Sequence, residues 1–143
     1  MKNYKLLTPG PLTTTEAVKK EMLFDRCTWD DEYKSITQKI RKELLDIGNV
    51  NEEDYTAVLM QGSGTFAVES VITSTVGEKD KLLIIANGAY GERIGQIAEH
   101  ISLNHVIYNN GYDEHPNMDK VKEILDKDTE ITHIAMVHHI HYY

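Results

Sequence analysis

The spacing of apolar residues changes character once along the chain, near Asn51. Upstream of it, apolar positions recur at helical intervals. From Asp31 the stretch "DEYKSITQKIRKELLDIGN" sets Tyr33, Ile36, Ile40, Leu44 and Ile47 on one helical face and then meets Gly48, a helix stop. The earlier segment "LLTPGPLTTTEAVKKEML" starts with Pro-Gly-Pro, which cannot lie inside a helix. It continues with Thr13 and Glu16 at capping-box spacing ahead of Ala17, Val18, Met22 and Leu23. An extended arm, a short helix and a long helix are therefore expected over residues 1–50.

Downstream, short apolar runs are each followed by glycine or a polar turn and then by helix-period sequence. The series is "YTAVLMQGSGTFAVESVITSTV", "KLLIIANGAYGERIGQIAEHI", "HVIYNNGY", "MDKVKEILDKD" and "ITHIAMVHH". Val58 to Met60 and Leu82 to Ala86 show no polar alternation, the pattern of strands covered on both faces of a parallel sheet. Strand, turn and helix in repeated order predict an α/β fold with right-handed crossovers: an N-terminal arm and helices, then a mostly parallel sheet with flanking helices. Two segments are expected, 1–50 helical and 51–143 built from βαβ units. In such sheets ligands gather at the carboxyl ends of the strands. That edge should carry Gln61 to Thr65, Asn87 to Gly91, and the histidines after the last strand.

Composition narrows the ligand. The 143 residues carry a formal charge of -8 and are 41% hydrophobic, enough apolar content for one core. An acidic chain without clustered Lys or Arg argues against nucleic acid and against an anionic membrane surface. No apolar run approaches the roughly 20 residues of a membrane span, and no secretory h-region follows the first lysines. With Cys27 as the single cysteine no internal disulfide can form, and a cytoplasmic setting is expected.

Three stretches offer chemistry. In "QGSGTFAVES", Gly62 and Gly64 allow close backbone approach, Ser63 and Thr65 bring hydroxyls, and a helix beginning near Thr65 aims unpaired N–H groups outward. These features suit a phosphate; the alternative is a tight turn with Ser63 as N-cap. No Walker lysine follows, and the third glycine of a dinucleotide fingerprint is missing. In "NGAYGER", Tyr90 lies between glycines on the same expected edge, where its ring can stack on a planar ligand or simply face solvent. "FDRCTWDDEY" joins Arg26, Cys27, Trp29, Asp30, Asp31 and Glu32 in an interhelical loop that suits a substrate or subunit contact, an acidic N-cap, or both. No sequence cue marks Cys27 as a nucleophile, so it reads as a structural thiol. His138, His139 and His141 lack further ligands at recognisable spacing, so no metal site is expected.

With these residues in view, the chain resembles the fold-type I, pyridoxal-phosphate-dependent aminotransferases of class V. "LLTPGPLTT", "MLFDRCTWDDEY", "LMQGSGTFAVE", "LLIIANGAYGER" and "ITHIAMVH" match in order and spacing over residues 4 to 138. The wording "CTWDDEY" and "GAYGER" is similar to the family's phosphonate branch, which moves an amino group from 2-aminoethylphosphonate to pyruvate, giving phosphonoacetaldehyde and alanine. The resemblance implies pyridoxal 5'-phosphate as cofactor, with Ser63, Gly64 and Thr65 on its phosphate and Tyr90 stacked on its ring. It implies Thr8, Pro9, Gly10 and Arg26 near the substrate, and a homodimer in the full-length family. It also implies that the chain is the first part of the cofactor-binding large domain. The family's cofactor-linking lysine has no counterpart among these residues, so no catalytic residue is assigned and the chain alone is expected to be inactive. Lys79 and Lys81, just before a strand, are expected on the opposite sheet edge from the phosphate cradle. The ending "HIHYY" departs from the family's Ser/Glu/Thr-rich continuation and reads as junction sequence. Two other readings stay open: another class V aminotransferase of the alanine:glyoxylate type, and a non-catalytic remnant that binds phosphate or pairs with a subunit.

Overall fold

A computed structural model describes residues 4–7 and 12–138. The chain forms two compact units, Met1–Met60 and Gln61–Tyr143.

The first unit carries helices α1 (Glu16–Glu21) and α2 (Asp31–Ile47). Before α1 the arm doubles back: Thr13 N donates to Leu6 O at 3.0 Å, Leu6 N donates to Thr13 Oγ1 at 2.7 Å, and Leu7 bridges Leu12. Thr13 is thus spent on the arm, and the N-cap of α1 is Thr15, whose hydroxyl accepts from Val18 N. The capping-box spacing was present in sequence, but a longer-range partner claimed the threonine. In α2, Asp30 caps the amino end by accepting from Glu32 N at 3.0 Å, and Gly48 follows the last turn. The left-handed residue at this stop is Asn49, at φ 52, a conformation asparagine tolerates better than most side chains. Arg41 straps the returning chain to α2, donating from Nε to Ala57 O at 2.9 Å and from a terminal nitrogen to Thr56 Oγ1 at 2.6 Å. The predicted apolar face of α2 is a real face, yet Tyr33, Ile36, Ile40, Leu44 and Ile47 are all exposed.

The second unit follows the order α3 (Gly64–Thr75), β1 (Leu82–Ala86), α4 (Ala89–His100), β2 (His105–Asn109), α5 (Met118–Lys127) and β3 (His133–Met136). Among the described residues the strands form a parallel sheet in the order β2-β1-β3. The central position explains the continuous apolar run of β1: every residue from Leu82 to Ala86 is buried. Leu82 and Ile84 face one side and pack with Ile72, Val76, Ile94 and Ala98 of the segments around α3 and α4. Leu83 and Ile85 face the other and pack with Val121, Ile124 and Leu125 of α5. Each such burial is worth about 1.5–3 kcal/mol, so β1 is the main stabilising element of this unit.

One expected strand is absent. Residues 57–60 run without strand pairing, and Val58 is 71% exposed. Their apolar run needs neighbours on both sides to become a ladder, and none of the described segments pairs with them. The α/β class and the parallel sheet stand; the strand ahead of the Gly-Ser-Gly turn does not form here.

Candidate functional site

The turn 61–63 leads directly into α3. Ser63 is the N-cap, its Oγ accepting from Phe66 N at 3.3 Å while its carbonyl accepts from Ala67 N at 3.0 Å. The capping role expected as the plain alternative is therefore real, and it leaves the main-chain N–H groups of Gly64 and Thr65 without intrahelical acceptors. A Cβ placed on Gly64 would meet nothing within 4 Å, so the space over this helix end is open. A second feature was not used in the sequence reading. The helices α1, α2, α4 and α5 each carry an acidic side chain in the first turn, but α3 carries none. The positive end of the α3 dipole is thus not answered by a carboxylate of its own first turn, as suits an external anion. That signal was legible in "GTFAVES", once the helix start was known.

The carboxyl end of β1 is built for close packing. Gly88 has φ 146, a backbone state that L side chains rarely adopt, and it starts α4 without a side-chain cap. Three residues later a Cβ on Gly91 would lie 2.7 Å from Ala86 Cα, so only glycine lets α4 sit this deeply against the strand. Tyr90, between them, is 60% exposed in the first turn of α4, and its ring is available to a ligand. Asn87 Nδ2 donates to Val137 O at 3.0 Å, tying the end of β1 to the residue after β3. Asn110 N donates to Ala86 O at 2.8 Å and does the same toward β2.

At the amino end of the sheet the chemistry is different. Lys81, immediately before β1, places Nζ 2.7 Å from Asp128 and 3.6 Å from Glu130. Its hydrogen bond to Asp128 raises the lysine pKa above the ordinary value and holds the Asp128 carboxyl below the usual carboxylate range. Asp80 is lowered as well, first by the Gly77 N–H at 2.8 Å and then by Thr132. Lys81 is thus an ion-paired lysine at the edge where the strands begin, the edge its place just before β1 led one to expect.

The remaining expected site residues belong to the first unit or lie outside the described residues. Arg26 belongs to the first unit and is matched by Glu21 at 2.8 Å and Glu32 at 3.8 Å. Cys27 is exposed, not a packed core thiol. Thr8, Pro9 and Gly10 lie outside the described residues, as do His139 and His141. No described helix is long and apolar enough to cross a membrane.

These features fit the phosphate and ring of a pyridoxal cofactor: an open, acid-free helix start flanked by Ser63 and Thr65, and an accessible Tyr90. No family model matches the chain. A 2-aminoethylphosphonate–pyruvate transaminase of Lysinibacillus sphaericus is 63% identical over 138 residues, covering 96% of this chain and 38% of that protein. Its counterpart in Bacillus cytotoxicus is 57% identical over 141 residues, again covering 38% of the relative, and one in Bacillus cereus is 53% identical over 136 residues. The chain thus spans a little over a third of the length of these curated relatives. Among solved structures, a pyridoxamine-pyruvate aminotransferase from Mesorhizobium loti superposes at a TM-score of 0.76 with 19% identity, over 92% of this chain and 33% of that one. An alanine–glyoxylate aminotransferase from Nostoc sp. gives 0.74 with 20% identity, over 96% and 38%. The chain is similar in sequence to the phosphonate transaminases along nearly its whole length, and its fold is that of part of an aminotransferase.

Proposed function

We propose that this chain is the cofactor-phosphate-binding part of a 2-aminoethylphosphonate:pyruvate transaminase. The observation that carries the reading is the 63% identity over 138 residues, which includes both the cradle and the Tyr90 turn. Residues 51–143 hold the cofactor. Its phosphate lies at the α3 amino end, accepting from the N–H groups of Gly64 and Thr65 and from the hydroxyls of Ser63 and Thr65. Tyr90 stacks on the ring and shields one face from water. When bound, pyridoxal 5'-phosphate supplies the electron sink that amino transfer requires. Residues 1–50 serve substrate and subunit contact: Thr8, Pro9 and Gly10 lie beside the amino donor, and Arg26 exchanges its carboxylate partners for an anionic substrate group. Amino transfer from 2-aminoethylphosphonate to pyruvate, in a cytoplasmic homodimer, is then the activity of the longer protein. The chain by itself binds and orients but does not turn over, because none of its lysines takes the place of the family's cofactor-linking lysine; Lys81, just before β1, is engaged with Asp128 and Glu130.

Amide NMR tests the cradle. Pyridoxal phosphate should shift the resonances of Gly64, Thr65 and Phe66, inorganic phosphate should compete, and pyridoxal lacking the phosphate should leave them in place. Equal shifts from pyridoxal would refute the assignment. The activity is tested by joining residues 1–138 covalently to the segment that follows the matched one in the Lysinibacillus sphaericus relative. This fusion should form alanine from 2-aminoethylphosphonate and pyruvate; turnover of alanine with glyoxylate instead would favour the alternative class V reading.

A further inference from the structure

Tyr90 sits in a helix start that lacks the usual local support. Gly88 enters α4 at φ 146 and, among the described residues, no side chain caps the turn. After the close glycine contact at Gly91, the first buried side chain of α4 is Ile94. An uncapped first turn frays, and fraying here would carry Tyr90 with it. What closes the turn is the bond from Glu92 N to Gly88 O at 3.0 Å, so the anchoring of its two ends decides how firmly Tyr90 is held.

Both ends are tied to segments distant in sequence. On the Gly88 side, the preceding Asn87 donates to Val137 O at 3.0 Å. On the other side, the Glu92 carboxylate accepts from the Tyr112 hydroxyl at 2.7 Å, 20 residues further along the chain. Tyr112 belongs to the turn after β2, which starts level with the end of β1 because Ala86 pairs with Asn109. That turn is built round Asn110. Its N–H donates to Ala86 O at 2.8 Å, its Oδ1 accepts from the Tyr108 hydroxyl at 3.2 Å, and its Nδ2 donates to Glu114 O at 2.8 Å and Gly111 O at 3.3 Å. A turn bonded in this way to the end of β1 is a firm anchor, and Tyr112 passes its position on to α4.

We propose that Tyr112 is a positioning residue for Tyr90: its hydroxyl, through Glu92, substitutes for the missing cap and keeps the Tyr90 ring at the carboxyl edge of the sheet, where a planar ligand can stack on it. That the ligand is a pyridoxal ring rests on the function proposed above; the bond between the β2 turn and α4 does not. Two magnitudes set the expected effect. A gap of about 0.5–1 Å between packed surfaces forfeits about a quarter to a half of their dispersion contact. One net hydrogen bond shifts an equilibrium about 2- to 10-fold.

The test is NMR on the whole chain, reading amide exchange without ligand and then titrations with pyridoxal phosphate and with inorganic phosphate. Tyr112→Phe keeps the ring and loses the donor. It should speed exchange of the Glu92 amide about 2- to 10-fold and weaken pyridoxal phosphate by a similar factor. Inorganic phosphate binding and exchange of the β1 amides should stay as in the parent. Glu92→Ala should do the same, and the pair combined should lose no more than either alone. In a Tyr90→Ala background, Tyr112→Phe should add nothing to the loss of pyridoxal phosphate affinity. Parent-like exchange at Glu92, faster exchange throughout β1, equal weakening of inorganic phosphate, or a further loss in the Tyr90→Ala background would each overturn the positioning role. If Tyr90→Ala weakens pyridoxal phosphate and Tyr112→Phe does not, the positioning role fails and the cofactor reading stands. If Tyr90→Ala itself changes nothing, the stacking reading fails and the role of Tyr112 falls with it.

Discussion

Alanine substitution at three glycines should separate packing from conformational freedom, and Gly91 is the decisive position. A Cβ there would stand 2.7 Å from Ala86 Cα and 3.3 Å from the Ala86 carbonyl carbon and Cβ, in a strand buried along its whole length. Main chain cannot rotate out of the way, so α4 must lift from β1. Overpacking of this kind costs about 1–3 kcal/mol, and contact with backbone places it toward the upper end. Alanine returns at most about 1 kcal/mol of helix propensity, leaving a net loss of about 1–2 kcal/mol. At Gly95 the obstacle is Ile107 Cδ1 at 2.8 Å, the end of a side chain at a partly exposed site. A rotamer change there roughly cancels the propensity gain. At Gly64 nothing lies within 4 Å, and alanine should be neutral or stabilising by a few tenths to about 1 kcal/mol. Hydrogen exchange of the β1 amides, read by mass spectrometry, reports these differences locally. Gly91→Ala should exchange about 5- to 30-fold faster, corresponding to the 1–2 kcal/mol above; Gly95→Ala should stay close to the parent, and Gly64→Ala should be equal or slower. A Gly91→Ala rate within two-fold of the parent would show that α4 is not held against β1 as described.

Gly64→Ala should at the same time reduce pyridoxal phosphate binding, because its methyl group enters the open space over the helix start; tighter binding by the variant in an NMR titration would argue against the cradle. Ser63→Ala removes the acceptor for Phe66 N and should cost about 0.5–2 kcal/mol, seen as faster exchange in the first turn of α3. The Lys81–Asp128 pair makes the start of β3 pH-sensitive. Asp128 is lowered in the folded state, so its contribution is complete above the ordinary aspartate pKa and is lost as pH falls through the lower folded value. Lys81 is raised, so its contribution is complete below the ordinary lysine pKa and is lost only as pH rises through the higher one. Protection of amides in 131–136, corrected for intrinsic exchange, should therefore hold between about pH 5 and 10 and fall below about pH 4. In Lys81→Met the acid-side loss should shrink to the part left by Asp80 beside Thr132 and by the Glu130 N–H on Asp128, and an unchanged profile would place the titration elsewhere. Borohydride reduction after incubation with pyridoxal phosphate should give no stoichiometric label on any one lysine of the isolated chain, and peptide mapping checks it.

What could be read from sequence was whatever depends on neighbours a few residues away. The face of α2 and its stop at Gly48, the buried run Leu82 to Ala86, and the Gly-Ser-Gly start of α3 are all encoded by local spacing, because helix and strand periods are fixed by backbone geometry. The similarity to aminotransferases was legible for the same reason: turn glycines, hydroxyls and Tyr90 occur in a fixed order. Tertiary structure decided what depends on partners. Thr13 was diverted from capping α1 to holding Leu6. Residues 57–60 have strand composition but, among the described residues, no strand beside them, and an unpaired ladder has no reason to form. The depth of Gly91 against Ala86, and with it the position of Tyr90, follows from helix-on-sheet packing. The faces of α2 and β3 show the limit from the other side. Sequence fixes that Ile36, Ile40, Ile134 and Met136 are apolar and which way their backbone aims them, but burial is a property of two surfaces, and only the tertiary structure shows that these four stay exposed among the described residues.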